Sequence, residues 1–400
     1  NPQYKLNGGW NQEHWDNAYR GVMANALKIK QQAEGKYDEF YYLSLIIKVQ
    51  AMHRIADIYG PCVYSTFGAP NSTVFLYDSQ EDVYKQMFAE LDKAITGLTP
   101  IAKANTVANK TSLFASSDLS SYGGDYSKWV KYANSLRLRL AMRIVKVNPA
   151  EAQKQAELAV SQEFGVLSAK ADTFTLQPKN YNNPISEISQ SWGDIKMSAD
   201  MESIMGGYND PRLAAFFLTS KQFPGEYKGI RTGIQIANKS DRQDFSSVNV
   251  KSTVWMTAAE VYFLKAEGKL RNWNMGAGTA ESLYEAGVMA SFEQHGVSGA
   301  SAYLASTSLP KNYIDPVDAG NNGVAVNTVP VKYDASASKK VQLQQIITQK
   351  WIANFPEGQE AWSEYRRTGF PKLFPVLVNA SAGTIDSALG IRRVNFTDSE

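Results

Sequence analysis

The chain of 400 residues has one cysteine, Cys62, which excludes an internal disulfide and any CxxC metal knuckle. Its place after Gly60-Pro61 predicts a small, partly buried thiol. Histidine is nearly as scarce. His14, His53 and His295 form no HExxH and no spaced metal set, and His53 falls in a strongly apolar stretch that predicts a core histidine. No run of about 18 apolar residues occurs, so no membrane-spanning helix is predicted. Excess charge is missing as well: 41 basic against 39 acidic residues give +2, and the basic ones are scattered. A nucleic-acid or polyanion partner is therefore not expected. The first residue is Asn1, with neither Met nor a signal-peptide pattern. That start predicts an earlier beginning now removed, with any lipid anchor upstream of it.

Catalytic and cofactor motifs are also lacking. Gly296-Val297-Ser298-Gly299 lacks half of a nucleophile elbow and follows a helix, not a strand. Gly276-Ala277-Gly278 falls in a helix–helix turn, which is not the strand–turn–helix setting of a phosphate loop. Asp315–Asn322 offers oxygen ligands suited to calcium without EF-hand spacing. Carboxylates are plentiful, but spacing singles out no glycosidase pair. No cofactor is expected.

Hydrophobic residues, at 44%, suffice for a large core, and aromatics reach 12% with 21 Tyr and 8 Trp. The apolar residues recur at helical spacing in four stretches, each read as a helical pair: about 37–97, 126–163, 252–296 and 340–370. Residues 37–59 are apolar on two faces, which predicts a helix sandwiched between others. A helix over 80–97 follows, with Ser79-x-x-Asp82 as its cap, and 99–125 reads as a long loop. Trp129 and Ala133 in one pair match Trp255 and Ala259 in the next. Small residues such as Ala286, Gly287 and Ala290 predict close helix crossings.

The last pair is the most regular. Leu343, Ile347, Trp351 and Phe355 stand four apart with Ile346 beside them, which predicts one apolar stripe ended by Pro356. A second helix after Gly358 is predicted to bury Ala361, Trp362 and Tyr365. Glu360 in its first turn and Arg366 and Arg367 in its last suit the helix dipole, and Gly369 supplies the C-cap. The expected fold is all-α, a single domain over 1–400 of about four tetratricopeptide-like hairpins with long loop-rich insertions and little sheet. Residues 165–251 and 299–338 interrupt the helical period. Loops of such length inside a domain are usually functional or disordered, and the aromatics of 165–251 argue for order.

The run from Ile346 to Pro371, I-x-x-Q-K-W-I-A-N-F-P-E-G-x-x-A-W-x-E-Y-R-R-T-G-x-P, resembles the C-terminal signature of the SusD-like family, in its SusD/RagB-related branch. Shorter stretches resemble it in the same order: Arg54-x-x-Asp57-x-Tyr59-Gly60-Pro61, Asn209-Asp210-Pro211-Arg212-Leu213, Tyr227-Lys228-Gly229, Met256–Glu260 with Ala266-Glu267, and Arg392-Arg393-x-x-Phe396-Thr397-x-x-Glu400. The family's ending more usually has Tyr-Pro where Phe396-Thr397 stand. The resemblance implies a non-enzymatic lipoprotein of a Gram-negative outer membrane, exposed at the cell surface. Such a protein binds oligosaccharide or another nutrient and passes it to a SusC-type TonB-dependent transporter. It is held to the membrane by an N-terminal lipid anchor.

The residues offer such a ligand a site. A sugar ring has an apolar C–H face and a hydroxyl rim, so it takes an aromatic platform edged by amides or carboxylates. The 165–251 excursion supplies Tyr181, Asn182, Asn183, Trp192, Asp194, Tyr208 and Tyr227, and the 61–78 loop adds Phe67, Phe75 and Tyr77. Any one of these aromatics could instead pack its loop onto the helices; Trp192, among polar neighbours, is the strongest single candidate. The rival readings are a glycoside hydrolase and a repeat adaptor holding a peptide in its groove.

Overall fold

The computed structural model describes residues 3–69, 75–176 and 183–397. The chain forms two compact units, Leu6–Leu167 with Ile391–Glu400, and Asn1–Lys5 with Ser168–Gly390. Among the described residues it is helical apart from one two-stranded sheet, and no helix is long and apolar enough to cross a membrane.

In the first unit α1 (Gly8–Asp16) and α2 (Ala24–Ala33) are joined through a π-helical stretch, Asn17–Met23. The side chain of Asn7 caps Gly9, so Gly8 and Gly9 begin the helix. Next come α3 (Asp38–Tyr59) and α4 (Gln80–Val107) as one pair, then α5 (Tyr126–Arg143) and α6 (Pro149–Ser161) as another. As its two apolar faces predict, α3 is sandwiched, lying against α2, α4 and α5. Leu43, Ile46, Val49 and Met52 are buried, each worth about 1.5–3 kcal/mol. His53 is a core residue whose Nδ1 lies 3.1 Å from the Val49 carbonyl.

The helix α4 runs ten residues past its predicted end and carries Pro100 inside it. Proline costs a helix interior about 3 kcal/mol, but Leu98, Thr99 and Ala102 are buried beside it, and that packing outweighs the penalty. Thr99 Oγ1 also donates to the Ile95 carbonyl at 2.7 Å.

In the second unit β1 (Phe174–Leu176) pairs antiparallel with β2 (Thr253–Met256). Trp255 therefore sits in a strand, stacked on Phe174 at 4.7 Å, and does not repeat the helical Trp129. The 165–251 excursion is partly core. It holds α7 (Pro184–Gln190), α8 (Ala199–Gly207) and the single turn α9 (Leu213–Phe216). Met201, Met205, Leu213, Phe216 and Phe217 join a cluster with α10 (Ala258–Leu270) and α11 (Ala280–His295). Short segments bury apolar residues without repeating long enough to show a period.

After α12 (Ala300–Leu304) come α13 (Lys339–Ala353) and α14 (Gly358–Thr368). In place of one apolar stripe, α13 is buried nearly all round. Gln345 Nε2 donates to the Lys332 carbonyl at 2.7 Å, Gln344 Nε2 to Asn327 Oδ1 at 2.7 Å, and Gln342 Nε2 to Ala337 at 2.8 Å. Gln345 and Gln342 satisfy backbone carbonyls of the 299–338 loop and Gln344 an Asn327 side chain, which is how an irregular segment lies against a core helix. On α14 the buried residues are Glu360, Ser363, Glu364 and Arg367, whereas Ala361, Trp362 and Tyr365 are half-buried. The sequence predicts the reverse, because apolar period cannot register that buried charges on α10 and α13 await α14.

Candidate functional site

The Trp192 turn is set up by α7. Asn183 is buried as its N-cap, accepting from Ile185 N at 3.0 Å and donating to the Ser252 carbonyl at 3.1 Å, and Pro184 follows at the first helical position. Asn183 thus leaves the contact set for a structural role. At the other end Ser191 N and Trp192 N both bond the Glu187 carbonyl, and Gly193 takes φ +70°. That left-handed step ends the helix and turns the indole outward. Trp192 is 60% exposed and meets no other ring among the described residues.

The turn is braced on two sides. Ser189 Oγ donates to the Ile195 carbonyl at 2.8 Å and accepts from Val248 N at 2.8 Å. Lys239, on the 235–241 loop, donates to the Trp192 carbonyl at 2.8 Å and pairs with Asp194. The result is a braced turn that leaves the indole exposed, with the Asp194–Lys239 pair on the same turn and Ile195 and Ile236 exposed on the two segments.

Tyr208 is only 2% exposed and belongs to the core. Its hydroxyl donates to the Val329 carbonyl at 2.6 Å, and burial pushes its pKa well up. It has no face left for a ligand. Tyr227 is half-buried against the same core, its pKa also raised by burial. Tyr181 and Asn182 lie outside the described residues.

In the other unit Phe67 and Tyr77 of the 61–78 loop join an aromatic cluster built on Trp15, Tyr19 and Tyr59. Trp15 meets Tyr19 at 4.8 Å, Tyr59 at 5.2 Å and Tyr77 at 6.2 Å, and Tyr19 meets Phe67 at 5.7 Å. Trp15 and Tyr19 stand four residues apart, the spacing of one helical face, and Tyr19 lies in the π-helical stretch. Phe67 is half-buried, Tyr77 38% exposed and Phe75 48% exposed. Asp78 holds the loop by accepting from Tyr64 N at 3.0 Å and Ser65 N at 2.7 Å. Burial raises its pKa, but the bonds from Ser65 and Tyr64 outweigh that and hold it below the usual value. Cys62 exchanges backbone bonds with Asp78, and burial pushes its thiol up to about 12, so it stays protonated. A polar cleft of about 430 Å³ beside Asn105, Lys110, Ser112 and Asp125 carries no exposed aromatic.

Reactive and ligating side chains of the second unit are engaged in the fold. Asp315, offered to a cation by its loop, pairs with Arg242 at 2.8 Å and accepts from Asn321 Nδ2 at 3.0 Å. His295 packs edge-on against Phe216 at 4.7 Å; burial, then Arg212 and Lys170, lower its pKa to about 4. Among the described residues no three His, Cys, Asp or Glu side chains are grouped to hold a metal. The motif arginine Arg212 is fully buried, forked onto Asp210 at 2.9 and 2.6 Å and bonded to Ser291 and Gln349.

A family model described as "SusD-like: Susd and RagB outer membrane lipoprotein" matches residues 1–400. A comparison with curated proteins yields no match. Among solved structures, a chitin-binding SusD homologue from Flavobacterium johnsoniae is 57% identical with a TM-score of 0.96, over 100% of this chain and 83% of that one. A SusD homologue from Bacteroides vulgatus is 39% identical with a TM-score of 0.92, over 100% and 81%. A SusD-like protein from Bacteroides thetaiotaomicron is 34% identical with a TM-score of 0.92, over 100% and 83%. The chain belongs to the SusD-like family of SusD and RagB outer membrane lipoproteins.

Proposed function

We propose that this protein captures an oligosaccharide at the cell surface and passes it, unaltered, to a SusC-type TonB-dependent transporter. The preferred ligand is a chain of N-acetylglucosamine units. The observation that carries this reading is 57% identity, over the whole chain, to a homologue described as chitin-binding. The local chemistry supports it. Each N-acetylglucosamine ring has an apolar C–H face that stacks on an aromatic plane, and the polymer is uncharged. Trp192 offers such a plane, and Asp194 and Lys239 beside it cancel. Trp192 and Asp194, with Tyr227 more marginal, are the proposed contacts in one unit, and Phe75 and Tyr77, with the half-buried Phe67, those in the other. A lipid anchor upstream of this chain would hold the protein to the membrane.

Affinity electrophoresis against a panel of soluble glycans, with reducing ends assayed in parallel, tests the reading. Retardation by N-acetylglucosamine polymers without new reducing ends is the expected result. Turnover would replace capture with glycoside hydrolysis, and indifference to every glycan would return the peptide-adaptor reading.

A further inference from the structure

The brace across the Trp192 turn does two things at once. Lys239 opens a single 3-10 turn, Lys239–Asp241, whose entry is fixed by Asp241 N donating to Asn238 O at 3.1 Å and Asn238 N to Asp241 Oδ2 at 3.3 Å. From there its stem passes Gly193, where a Cβ would lie 3.8 Å from Lys239 Cε, and its ammonium reaches the carbonyl of Trp192 and the carboxylate of Asp194. The residues on either side of Gly193 are thus tied to one cation on a segment 47 residues away. Around them Lys196 is bonded to the Ser189 carbonyl and Ser247 Oγ, and Asp244 and Lys221 lie close enough to interact with it. The neighbourhood is balanced in sign. Lys239 and Asp194 are paired across the Trp192 turn, and both are half-exposed.

We propose that Lys239 is a positioning and specificity residue: it clasps the Trp192 turn in its outward pose, and by neutralising Asp194 it makes the rim select uncharged sugar chains over cationic ones. This rests on the glycan-binding reading above. A flat stacking surface accepts any pyranose face, so it cannot itself separate an acetylated amino sugar from a free one. Charge at the rim can. A bare Asp194 would attract protonated glucosamine; one paired to Lys239 does not.

The test uses the whole chain and two probes, the hexamers of N-acetylglucosamine and of glucosamine, titrated calorimetrically at low salt with the amines protonated. The wild type is expected to bind the acetylated hexamer more tightly. Lys239→Met keeps the stem and removes the charge. It should weaken the acetylated hexamer several-fold and strengthen the glucosamine hexamer about two- to fivefold, the scale of one exposed charge pair. Asp194→Asn should weaken the glucosamine hexamer instead. A ligand-free readout stands beside these: the fluorine resonance of 5-fluorotryptophan at position 192, assigned with Trp192→Phe, should shift or broaden in Lys239→Met. An unchanged resonance and unchanged preference in Lys239→Met, with Trp192→Ala still weakening binding at least tenfold, overturns the clasp and leaves the glycan reading standing. A wild type that binds neither hexamer overturns both.

Discussion

Arg366 and Arg367 are indistinguishable to a dipole argument, yet their surroundings differ. Arg367 is buried and doubly forked. Its Nη1 and Nη2 each lie 2.6 Å from Glu267, and its Nε and Nη2 lie 2.9 and 2.7 Å from Glu364. Lys350 closes the group at 3.0 Å from Glu364 and 3.3 Å from Glu360. Arg366 lies 3.7 Å over the half-buried ring of Trp362. Removing one partner of a buried pair strands the others, at about 3–5 kcal/mol, whereas a partly exposed cation–π contact is worth about 1 kcal/mol. Guanidinium unfolding should therefore show a loss of about 3–5 kcal/mol for Arg367→Ala and about 1 for Arg366→Ala. Equal losses would contradict the assignment of the buried network to Arg367. Trp192→Ala should move stability by less than about 0.5 kcal/mol, because the side chain is largely exposed.

At the scale of elements, what the sequence displays is the small residue at a crossing. A Cβ on Gly287 of α11 would stand 2.8 Å from the ring of Phe263 on α10, which is fully buried and has nowhere to go. Gly287→Ala would gain about 1 kcal/mol in helix propensity, yet it should lose about 1–2 kcal/mol net through overpacking. A thermal melt that rises would show that the helices do not cross so closely. Periodicity made most of the helical pairs legible, since their buried faces repeat every three or four residues. It failed where burial is not apolar, as in the glutamines of α13 and the charges of α14. It failed also where burial is too brief to repeat, as in α8 and α9, and where packing overrides a breaker, as at Pro100.

For the whole molecule, fold and family were legible because a long ordered motif carries them, while the sequence could not say which residues of the candidate site are exposed. Exposure separates Trp192 from Tyr208 and Asn183, and exposure depends on partners distant in sequence, Val329 and Ser252. Buried ionisation adds a pH signature. Burial raises Asp200 from an ordinary 3.8 to about 6, against the opposing pull of the Phe374 amide, 2.7 Å away, and of Arg231. The folded state then holds this proton more tightly than the unfolded one. Its contribution is complete below about pH 4 and is lost as pH rises through 6, roughly 3 kcal/mol in order of magnitude. Asp200→Asn should remove that slope, so its stability relative to wild type should climb between pH 4 and 7; parallel profiles would contradict it. The most direct test of the central claim is calorimetric titration of the wild type and Trp192→Ala with the N-acetylglucosamine hexamer. Saturable binding by the wild type, weakened at least tenfold, or by about 1.4 kcal/mol or more, by a substitution that leaves the melting temperature in place, is the expected result. Equal affinity in both proteins, or none in either, would contradict it.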